Sequence, residues 1–441
     1  DHGEEIHDGN FCMDGLVYPD RTVHTGLLEY KNVYRPARVI SYDKESGELV
    51  LHNYMDFDDL KDYVKISYEL TQDGLVISKG KLPEVSAAPH SEGKINLKIN
   101  VPESGKCYLK FIYHLKKELP LLDEDYILGF DEIEVSQKDA KCQLAEKWVE
   151  KTVTDSELQV SEDDTQIHIK GREFAYTIDR RTALFTEMKF AGREYLNHPM
   201  ELNIWRAPTD NDMYIKSEWK KAHYDKAYTR AYTTEVVQGK HGVKITSHAS
   251  VVAETVQKIL DVTITWKIEA AGKIDADIAV TKDDEFPDLP RFGVRMFLDK
   301  KLSAARYFGM GPQESYCDKH QAASHGLYHA NVDDLHEDYI RPQENGSHYD
   351  CEYVELNNSR YGIVVSAENA FSFNASYYTQ EELEKKTHNY ELTESDSVVF
   401  CVDYALNGIG SNSCGPVVLD QYRFDDVLFR FQFTLIPYVK G

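Results

Sequence analysis

The apolar residues of this chain recur at every second position, and this period constrains the fold more than any other feature of the sequence. Around residue 264 they alternate with polar residues over eight positions, at Val262, Ile264, Trp266 and Ile268. The segments 64–71, 94–101, 274–280 and 427–435 follow the same pattern. Such alternation predicts half-buried antiparallel strands. The clearest segment with a helical period is short, at 381–386, so we predict a mostly-β chain.

Length and strand spacing predict the domain organisation. A chain of 441 residues is long enough for about three domains. Residues 33–138 contain short strands at the spacing of an immunoglobulin-like β-sandwich. Residues 139–159 are polar and charged, without a strand pattern, and are interpreted as a linker. Residues 160–441 continue with strands and require a large two-sheet β-sandwich, because open sheets rarely exceed about ten strands. Residues 1–30 look too short to fold alone.

Charge limits the classes of partner. Lys and Arg total 50 and Asp and Glu total 75, which gives a net charge of −25. A surface this acidic repels phosphate backbones and anionic lipid, so we expect neither nucleic acid nor a membrane as partner. The sequence also contains no apolar run of the 18 or more residues that a membrane helix needs. A small or neutral ligand is more compatible with this composition than nucleic acid or a membrane.

The cysteines and the first residues bear on the cellular compartment. The seven cysteines are scattered and show no CxxC spacing, which argues against a disulfide framework and against a zinc site. We therefore expect reduced thiols and a cytoplasmic protein. The chain starts at Asp1 without Met or a signal-peptide pattern. This start suggests a processed chain or a piece of a longer protein, which would hide any upstream signal.

Four histidines occur close together, at His320, His325, His329 and His336. On a helix, the second and third would share one face and would bind a metal. Gly326 interrupts such a helix, and no cysteine or suitably placed carboxylate completes the ligand set. We therefore interpret all four as solvated surface residues.

Three further motifs carry carboxylates or flexible loops. RAPTDND at 206–212 places Asp210 and Asp212 two residues apart, a spacing that suits acid/base chemistry or a hard cation but more often caps the local backbone. GMGPQES at 309–315 and YIRPQENG at 339–346 contain Glu314 and Glu344, and both motifs are interpreted as ordinary turns. GIGSNSCG at 408–415 is a small-residue loop between predicted strands.

Taken together, these motifs resemble the C-terminal half of the long β-galactosidases of glycoside hydrolase family 2. The segment 10–22 is similar to the last βα unit of that family's TIM barrel, and HTGLLEYK at 24–31 resembles the exit from it. The resemblance therefore implies that residues 1–32 are a C-terminal remnant of the barrel. The region 33–137 resembles its immunoglobulin-like domain, and 160–441 resembles its galactose-mutarotase-like C-terminal sandwich. RAPTDND, YFGMGPQESYCD, YIRPQENG and GIGSNSCGP occur in the family's order and spacing.

The resemblance implies a retaining glycosidase that hydrolyses lactose and other β-D-galactosides. Such chemistry needs two carboxyl groups about 5–5.5 Å apart. In the family both are glutamates of the barrel, upstream of this chain. The principal Mg²⁺ ligands also lie in the barrel, upstream of this chain. The resemblance therefore implies no catalytic residue in this chain, no activity of the chain alone, and the upstream half of the same enzyme as its partner. It also implies a homo-oligomeric whole enzyme.

Three positions match family positions at the active site. Phe11 resembles the residue whose backbone carbonyl binds a sodium ion and whose ring lies near the sugar. Asp14 matches the side-chain ligand of that ion, and carboxylates suit hard cations. Cys414 occupies the end of the GIGSNSCG loop, where the best-known family member has a tryptophan that stacks on the sugar beyond galactose. Cys414 lacks such a stacking ring.

Two alternatives remain open. In the first, the chain is a carbohydrate-binding or structural subunit that completes the active site of another chain. In the second, the chain has aldose 1-epimerase activity, for which a His acid and a Glu base must face one sugar. His348 and Glu344 are close in sequence but nothing assigns them these roles, and a shared fold does not transfer function.

Overall fold

The computed structural model describes residues 15–137, 158–410 and 415–440. Strands account for 51% and helices for 10% of the structure, so the predicted mostly-β class is confirmed. The contacts divide the chain into two compact units. The first comprises residues 1–142 and 320–327, and the second comprises 143–319 and 328–441. The linker expected at 139–159 lies almost wholly outside the described residues.

The first unit contains two antiparallel sheets and two helices. The helices are α1 (Thr25–Val33) and α2 (Leu60–Tyr63), and the strands are β1 (Ala37–Tyr42), β2 (Glu48–Asn53), β3 (Val64–Gln72), β4 (Leu75–Lys81), β5 (Glu92–Asn96), β6 (Cys107–Leu115) and β7 (Ile127–Ser136). One sheet has the order β1-β2-β5 and the other β4-β3-β6-β7. Seven strands in two sheets is the strand number of an immunoglobulin constant-type sandwich.

Helix α1 begins after His24, whose ring Nδ1 accepts a hydrogen bond from the amide of Gly26 at 3.2 Å. It ends at Val33, three residues before Pro36, which disfavours continuation of a helix. The segment 24–31, expected to leave a barrel, is therefore largely helical. No helix among the described residues has the length and apolarity needed to cross a membrane.

The second unit contains the remaining elements. Its strands are β8 (Gln159–Glu162), β9 (Gln166–Lys170), β10 (Phe174–Asp179), β11 (Leu184–Phe190), β12 (Arg193–Glu194), β13 (Leu196–Asn203), β14 (Tyr228–Gln238), β15 (Gly242–Val252), β16 (Leu260–Glu269), β17 (Ile274–Lys282), β18 (Arg291–Asp299), β19 (Ala304–Gly311), β20 (Ser324–Asn331, which begins in the first unit), β21 (Ser347–Asn357), β22 (Tyr361–Ser376), β23 (Ser397–Leu406) and β24 (Leu428–Val439). Its α-helices are α3 (Ile215–Lys221) and α4 (Gln380–Lys385). Short 3-10 turns lie at Asp210–Asp212, Tyr224–Lys226, Asp333–Leu335, Asn389–Glu391 and Asp420–Tyr422.

A five-stranded sheet and a twelve-stranded sheet build this unit. The small sheet has the order β12-β11-β10-β9-β8, and the main path of the large sheet is β13-β18-β23-β22-β24-β17-β16-β15-β14. The alternation of apolar and polar residues predicted from the sequence is present in β16, where Val262, Ile264, Trp266 and Ile268 are all buried. Trp266 pairs across the ladder with the small side chain of Ala276, so a large and a small side chain share the space between strands.

Strand β22 connects different parts of the large sheet. Its first half, from Tyr361 to Ser366, pairs with β24, and its second half, from Ser372 to Ser376, pairs with β23. Strand β21 pairs with both halves. Strand β23 pairs with both β22 and β18. Strands β18 and β23, which carry Arg291 and Asp403, are therefore hydrogen-bonded neighbours in one sheet.

Candidate functional site

The three site residues assigned from the sequence, Phe11, Asp14 and Cys414, lie outside the described residues. The sodium site and the sugar contact therefore stay predictions from the sequence. The structure does describe the segment that leads into the loop carrying Cys414, residues 407–410, which we call the loop base. The candidate site is built around this segment.

The side chain of Asp318 fixes the loop base by binding two of the loop base's backbone amides. Its Oδ1 accepts the amide of Ile409 at 3.0 Å, and its Oδ2 accepts the amide of Gly410 at 2.7 Å. Asn211 donates from Nδ2 to the carbonyl of Ile409 at 2.8 Å. A Cβ at Gly408 would lie 2.7 Å from Oδ2 of Asp318. Glycine at this position therefore allows the carboxylate to approach the backbone.

Arg206 holds the same segment from the protein interior. The residue is fully buried, and its guanidinium pairs with Asp212 through Nη2 at 2.7 Å and Nε at 3.1 Å. It also donates to the carbonyl oxygens of Asn407 and Gly408, the latter at 3.1 Å. A bidentate Arg–carboxylate pair has a fixed geometry, so this pair orients the donors that hold the loop base.

The two aspartates of RAPTDND have structural roles. Asp212 accepts the backbone amide of Thr209 at 2.9 Å and so caps the short 3-10 turn. Asp210 is joined to Gln343 by two hydrogen bonds, from its own amide to Oε1 at 3.0 Å and from Nε2 to its carboxylate at 3.2 Å. The preferred interpretation of these aspartates as backbone caps is confirmed for Asp212, and Asp210 ties the motif to YIRPQENG.

Glu314 corrects the interpretation of GMGPQES as an ordinary turn. Its buried carboxylate accepts from Lys319 Nζ at 2.5 Å, from the hydroxyl of Tyr339, and from the amide of Gly346 at 2.8 Å. Burial acts to raise the pKa of Glu314, but the ammonium of Lys319 and the two other donors outweigh it and hold the pKa below its ordinary value. This side chain connects two motifs through the protein interior.

Glu344 corrects the corresponding interpretation of YIRPQENG. Its Oε1 accepts from Nη1 of Arg291 at 2.9 Å, and Arg291 binds Asp403 through Nε at 3.1 Å and Nη2 at 2.5 Å. All three side chains are essentially inaccessible to solvent. Burial raises the pKa of both Glu344 and Asp403, against the opposing charge of Arg291. We call these three residues the buried triad.

The histidine interpretation was wrong for His325. This ring stacks on Tyr108 at a centroid distance of 4.0 Å, and its Nδ1 lies 2.7 Å from the carboxylate of Glu132. The side chains of His325 and Glu132 are only 8% and 10% exposed. Burial also lowers the pKa of His336, whereas His329 is exposed. Among residues 15–137, 158–410 and 415–440, no group of three His, Cys, Asp or Glu residues converges to hold a metal ion.

His348 and Glu344, the pair considered for epimerase chemistry, are both buried. The His348 ring packs against Tyr307 and Phe373, and its Nδ1 lies 3.1 Å from the carbonyl oxygen of Met310. Burial lowers the pKa of His348 to about 4. A general acid works best with a pKa near the operating pH and within reach of substrate, so this environment does not favour an acid/base pair.

The sequence interpretation missed Arg206, Arg291, Asp318 and Asp403. A usable signal existed for Asp403, because it interrupts the apolar run of β23, SVVFCVDYAL. A buried charged residue in such a run is almost always paired. Asp318 offers no comparable signal, since a carboxylate in a loop is ordinarily solvated.

Comparison with known proteins identifies the family. The family model described as beta galactosidase small chain matches residues 170–435, and the model described as beta-galactosidase, domain 4, matches residues 49–136. The first match covers more than half of the chain. This chain belongs to the beta-galactosidase small chain family. The predicted resemblance to β-galactosidases is thereby confirmed.

Similar proteins extend the match to nearly the whole chain. A protein named beta-galactosidase from Actinobacillus pleuropneumoniae is 44% identical over 99% of this chain and 42% of its own length. A protein of the same name from Staphylococcus xylosus is 32% identical over 99% of this chain and 43% of its own length. The chain thus spans about two fifths of the length of these relatives. A galactose 1-epimerase structure from Lactobacillus acidophilus NCFM matches 66% of this chain and all of its own with a TM-score of 0.34 at 8% identity.

Proposed function

We propose that this chain is the C-terminal portion of a β-galactosidase that hydrolyses terminal non-reducing β-D-galactose residues with retention of configuration. The observation that carries the proposal is the match of 99% of the chain to a protein named beta-galactosidase at 44% identity. A neutral sugar substrate is also compatible with the net charge of −25, because an uncharged ligand is not repelled by an acidic surface.

The buried carboxylates of the candidate site support a non-catalytic role for this portion. Retaining hydrolysis requires a nucleophile and an acid/base, both in contact with the sugar. Glu314 is held by Lys319, and Glu344 and Asp403 are held by Arg291, all within the interior. We therefore assign both catalytic glutamates and the Mg²⁺ ligands to the barrel portion of the whole enzyme, and we expect the 441-residue chain to be inactive alone.

In this proposal the chain contributes a loop to the assembled active site. Arg206, Asn211 and Asp318 hold the loop base, and a rigid base restricts where the following residues can lie. We propose that Cys414 thereby reaches the sugar beyond galactose, and that Phe11 and Asp14 bind Na⁺. The proposed setting is a cytoplasmic homo-oligomeric enzyme.

A complementation assay tests the proposal. The 441-residue chain is assayed on a chromogenic β-galactoside alone, and then mixed with the part of the Actinobacillus relative that it does not match. We expect no turnover alone and turnover in the mixture. The matching portion of the relative serves as the positive control. Turnover by the chain alone would overturn the assignment of the catalytic glutamates to another segment. Absence of turnover in the mixture, together with turnover in the positive control, would overturn the proposed contribution to the active site.

A further inference from the structure

One end of the sandwich in the first unit brings three connections together. Strand β1 begins at Ala37, which pairs with Asn53, the last residue of β2. Strand β3 begins at Val64, which pairs with Leu115, the last residue of β6. Because these strands are antiparallel, the α1–β1 junction, the β2–β3 loop and the β6–β7 connection all lie at this end.

This end exposes a group of large apolar side chains. Phe57 is 92% exposed, Leu121 is fully exposed, and Tyr34, Tyr54 and Leu119 also face solvent. Tyr34, Tyr54 and Phe57 line one groove of about 620 Å³. Single apolar residues on a surface are ordinary, but a contiguous exposed group marks an interaction site. We call these five residues the apolar end.

The loop that carries Phe57 is held in place by Asn53. This buried side chain accepts the amide of Met55 through Oδ1 and donates from Nδ2 to the carbonyl of Asp58, both at 2.9 Å. The backbone on each side of Phe57 is therefore fixed while the ring lies in solvent. A ring on a rigid support loses little conformational freedom on binding, and aromatic anchors carry much of the binding energy of interfaces.

The β6–β7 connection presents Leu121 in a backbone conformation that leucine rarely adopts. Leu119 and Leu122 exchange two backbone hydrogen bonds, at 2.9 and 3.1 Å, around Pro120 and Leu121. The φ angle of Leu121 is 71°. A proline followed by a residue with positive φ is the pattern of a type II turn, which favours glycine at the second of these positions. Such strain concentrates at functional positions, so a fully exposed leucine here points to a contact with a partner.

Charge distinguishes a second copy of this chain from a different partner. The segments 54–58 and 118–125, which carry Phe57 and Leu121, contain six acidic residues and no basic one. Lys65 pairs with two of them, Glu124 and Asp125. In a two-fold dimer this surface would meet its own copy, and the like charges would repel. A partner with apolar pockets surrounded by basic residues fits the surface better.

We propose that the apolar end is the docking surface for the barrel portion of the whole enzyme. This proposal rests on the proposed function, in which the chain is the C-terminal portion, and it names the surface through which the two portions join. The chain spans about two fifths of the length of its relatives, so a large portion is available to cover the surface. The predicted barrel remnant, residues 1–32, also leads directly into the apolar end at Tyr34.

Hydroxyl-radical footprinting tests the docking surface, because labelling of a side chain follows its exposure. The 441-residue chain is compared with a chimera in which the part of the Actinobacillus relative that this chain does not match precedes Asp1. Phe57 and Leu121 should be labelled about tenfold less in the chimera, since residues at the centre of an interface are fully buried. Leu75, at the start of β4 and the opposite end of its sheet, and Tyr390, in the second unit, are exposed controls that should be labelled equally in both proteins.

Two variants measure the contribution of the contact. Phe57→Ala and Leu121→Gly should not lower the melting temperature of the 441-residue chain, since both side chains lie in solvent and glycine suits a positive φ. Both should lower the melting temperature of the chimera by about 2 °C or more. Leu75→Ala and Tyr390→Ala are the matched controls and should shift the two proteins equally. Equal shifts for Phe57→Ala and Leu121→Gly as well would contradict the docking role.

The outcomes separate the docking surface from the proposed function. A chimera that hydrolyses a chromogenic β-galactoside while Phe57 and Leu121 stay labelled would overturn the docking surface and leave the proposed function standing. Protection of both residues in an inactive chimera would support the surface and count against the proposed function. Unchanged labelling in an inactive chimera would count against both. Protection that rises with the concentration of the 441-residue chain alone would assign the surface to a second copy and overturn the proposal.

Discussion

The carboxylate of Asp318 accepts the backbone amide of Gly410 at 2.7 Å, and in the same way it holds the amide of Ile409. One side chain thus fixes two consecutive amides at the start of the loop that carries Cys414. Hydrogen bonds between backbone amides and an ionised acceptor are roughly twice as strong as neutral ones.

Asp318→Asn should loosen the loop base with little effect on the rest of the fold. One of the two accepting oxygens becomes a donor, and the local free energy of opening should fall by about 1–3 kcal/mol. Hydrogen exchange at the amides of Ile409 and Gly410 should accelerate correspondingly, and turnover in the complemented enzyme should decrease. Asp420→Asn is the matched control, because the Asp420 side chain is 96% exposed. Unchanged exchange at both amides would contradict the role given to Asp318.

Glu314 should make the second unit sensitive to acid. The pKa of Glu314 in the folded state lies below the ordinary value of 4.5, so this carboxylate binds a proton more readily in the unfolded state. The stabilisation from Glu314 is therefore complete above about pH 4.5 and is lost as the pH falls through the lower, folded-state pKa. Glu314→Gln should reduce the free energy of unfolding at pH 7 by about 3 kcal/mol, and this deficit should shrink below pH 4.5.

Urea unfolding followed by tryptophan fluorescence at pH 7, 5, 4 and 3 would measure this effect. Three of the four tryptophans, Trp205, Trp219 and Trp266, are described within the second unit, so the signal reports on it. Glu218→Gln is the control, since the Glu218 and Lys221 side chains are 58% and 72% exposed and exposed pairs contribute little. A deficit that does not depend on pH would argue against an ionised Glu314.

Arg291→Met should strongly destabilise the second unit, because it leaves Glu344 and Asp403 buried without their cation. Removing one member of a buried ion pair costs about 3–5 kcal/mol. Lower pH should reduce this loss of stability, because both carboxyl groups can then bind protons. Burial already raises the pKa values of both groups. Equilibrium unfolding at pH 7 and pH 5 would measure both effects. Arg230→Met changes an exposed arginine and should have a small effect; a similar loss in both variants would refute the importance of the buried triad.

The Glu132 side chain should hold the 320–327 segment within the first unit. Its carboxylate accepts the amide of His325 at 3.0 Å and lies 2.7 Å from the ring Nδ1. Glu132→Ala should therefore accelerate hydrogen exchange at the His325 amide by about tenfold or more. Glu134→Ala, a change two residues along the same strand, should leave that exchange rate unaltered. Equal rates in both variants would contradict this role.

The strands were predictable because each depends on its own sequence. Val262, Ile264 and Trp266 alternate with polar residues regardless of which strands flank them, and the structure buries all three. The helix at Gln380–Lys385 was also indicated by its local period. Local patterns thus sufficed for the elements and for the mostly-β class.

The candidate site was much less predictable, because its contacts join residues far apart in the sequence. Arg291 meets Asp403 from 112 positions away, and Arg206 meets Asn407 across 201 positions. A glutamate that follows Pro-Gln looks like a turn residue until its partners are known. Glu344 binds Arg291 across 53 positions, and Glu314 accepts from Tyr339 and Gly346 across 25 and 32 positions. These long-range partners could not be predicted from the local sequence.

The position of β24 in the large sheet has a consequence for synthesis of the protein. This strand, Leu428–Val439, lies between β17 and β22 and joins the two parts of the sheet's main path. Strands β14 to β17 therefore leave the ribosome long before the strand that connects them to β22 and β23. During that interval the β17 edge has no ladder partner on that side, and such edges bind other chains. Protection of this nascent edge, by a chaperone or by slow translation, should therefore increase the yield of folded protein.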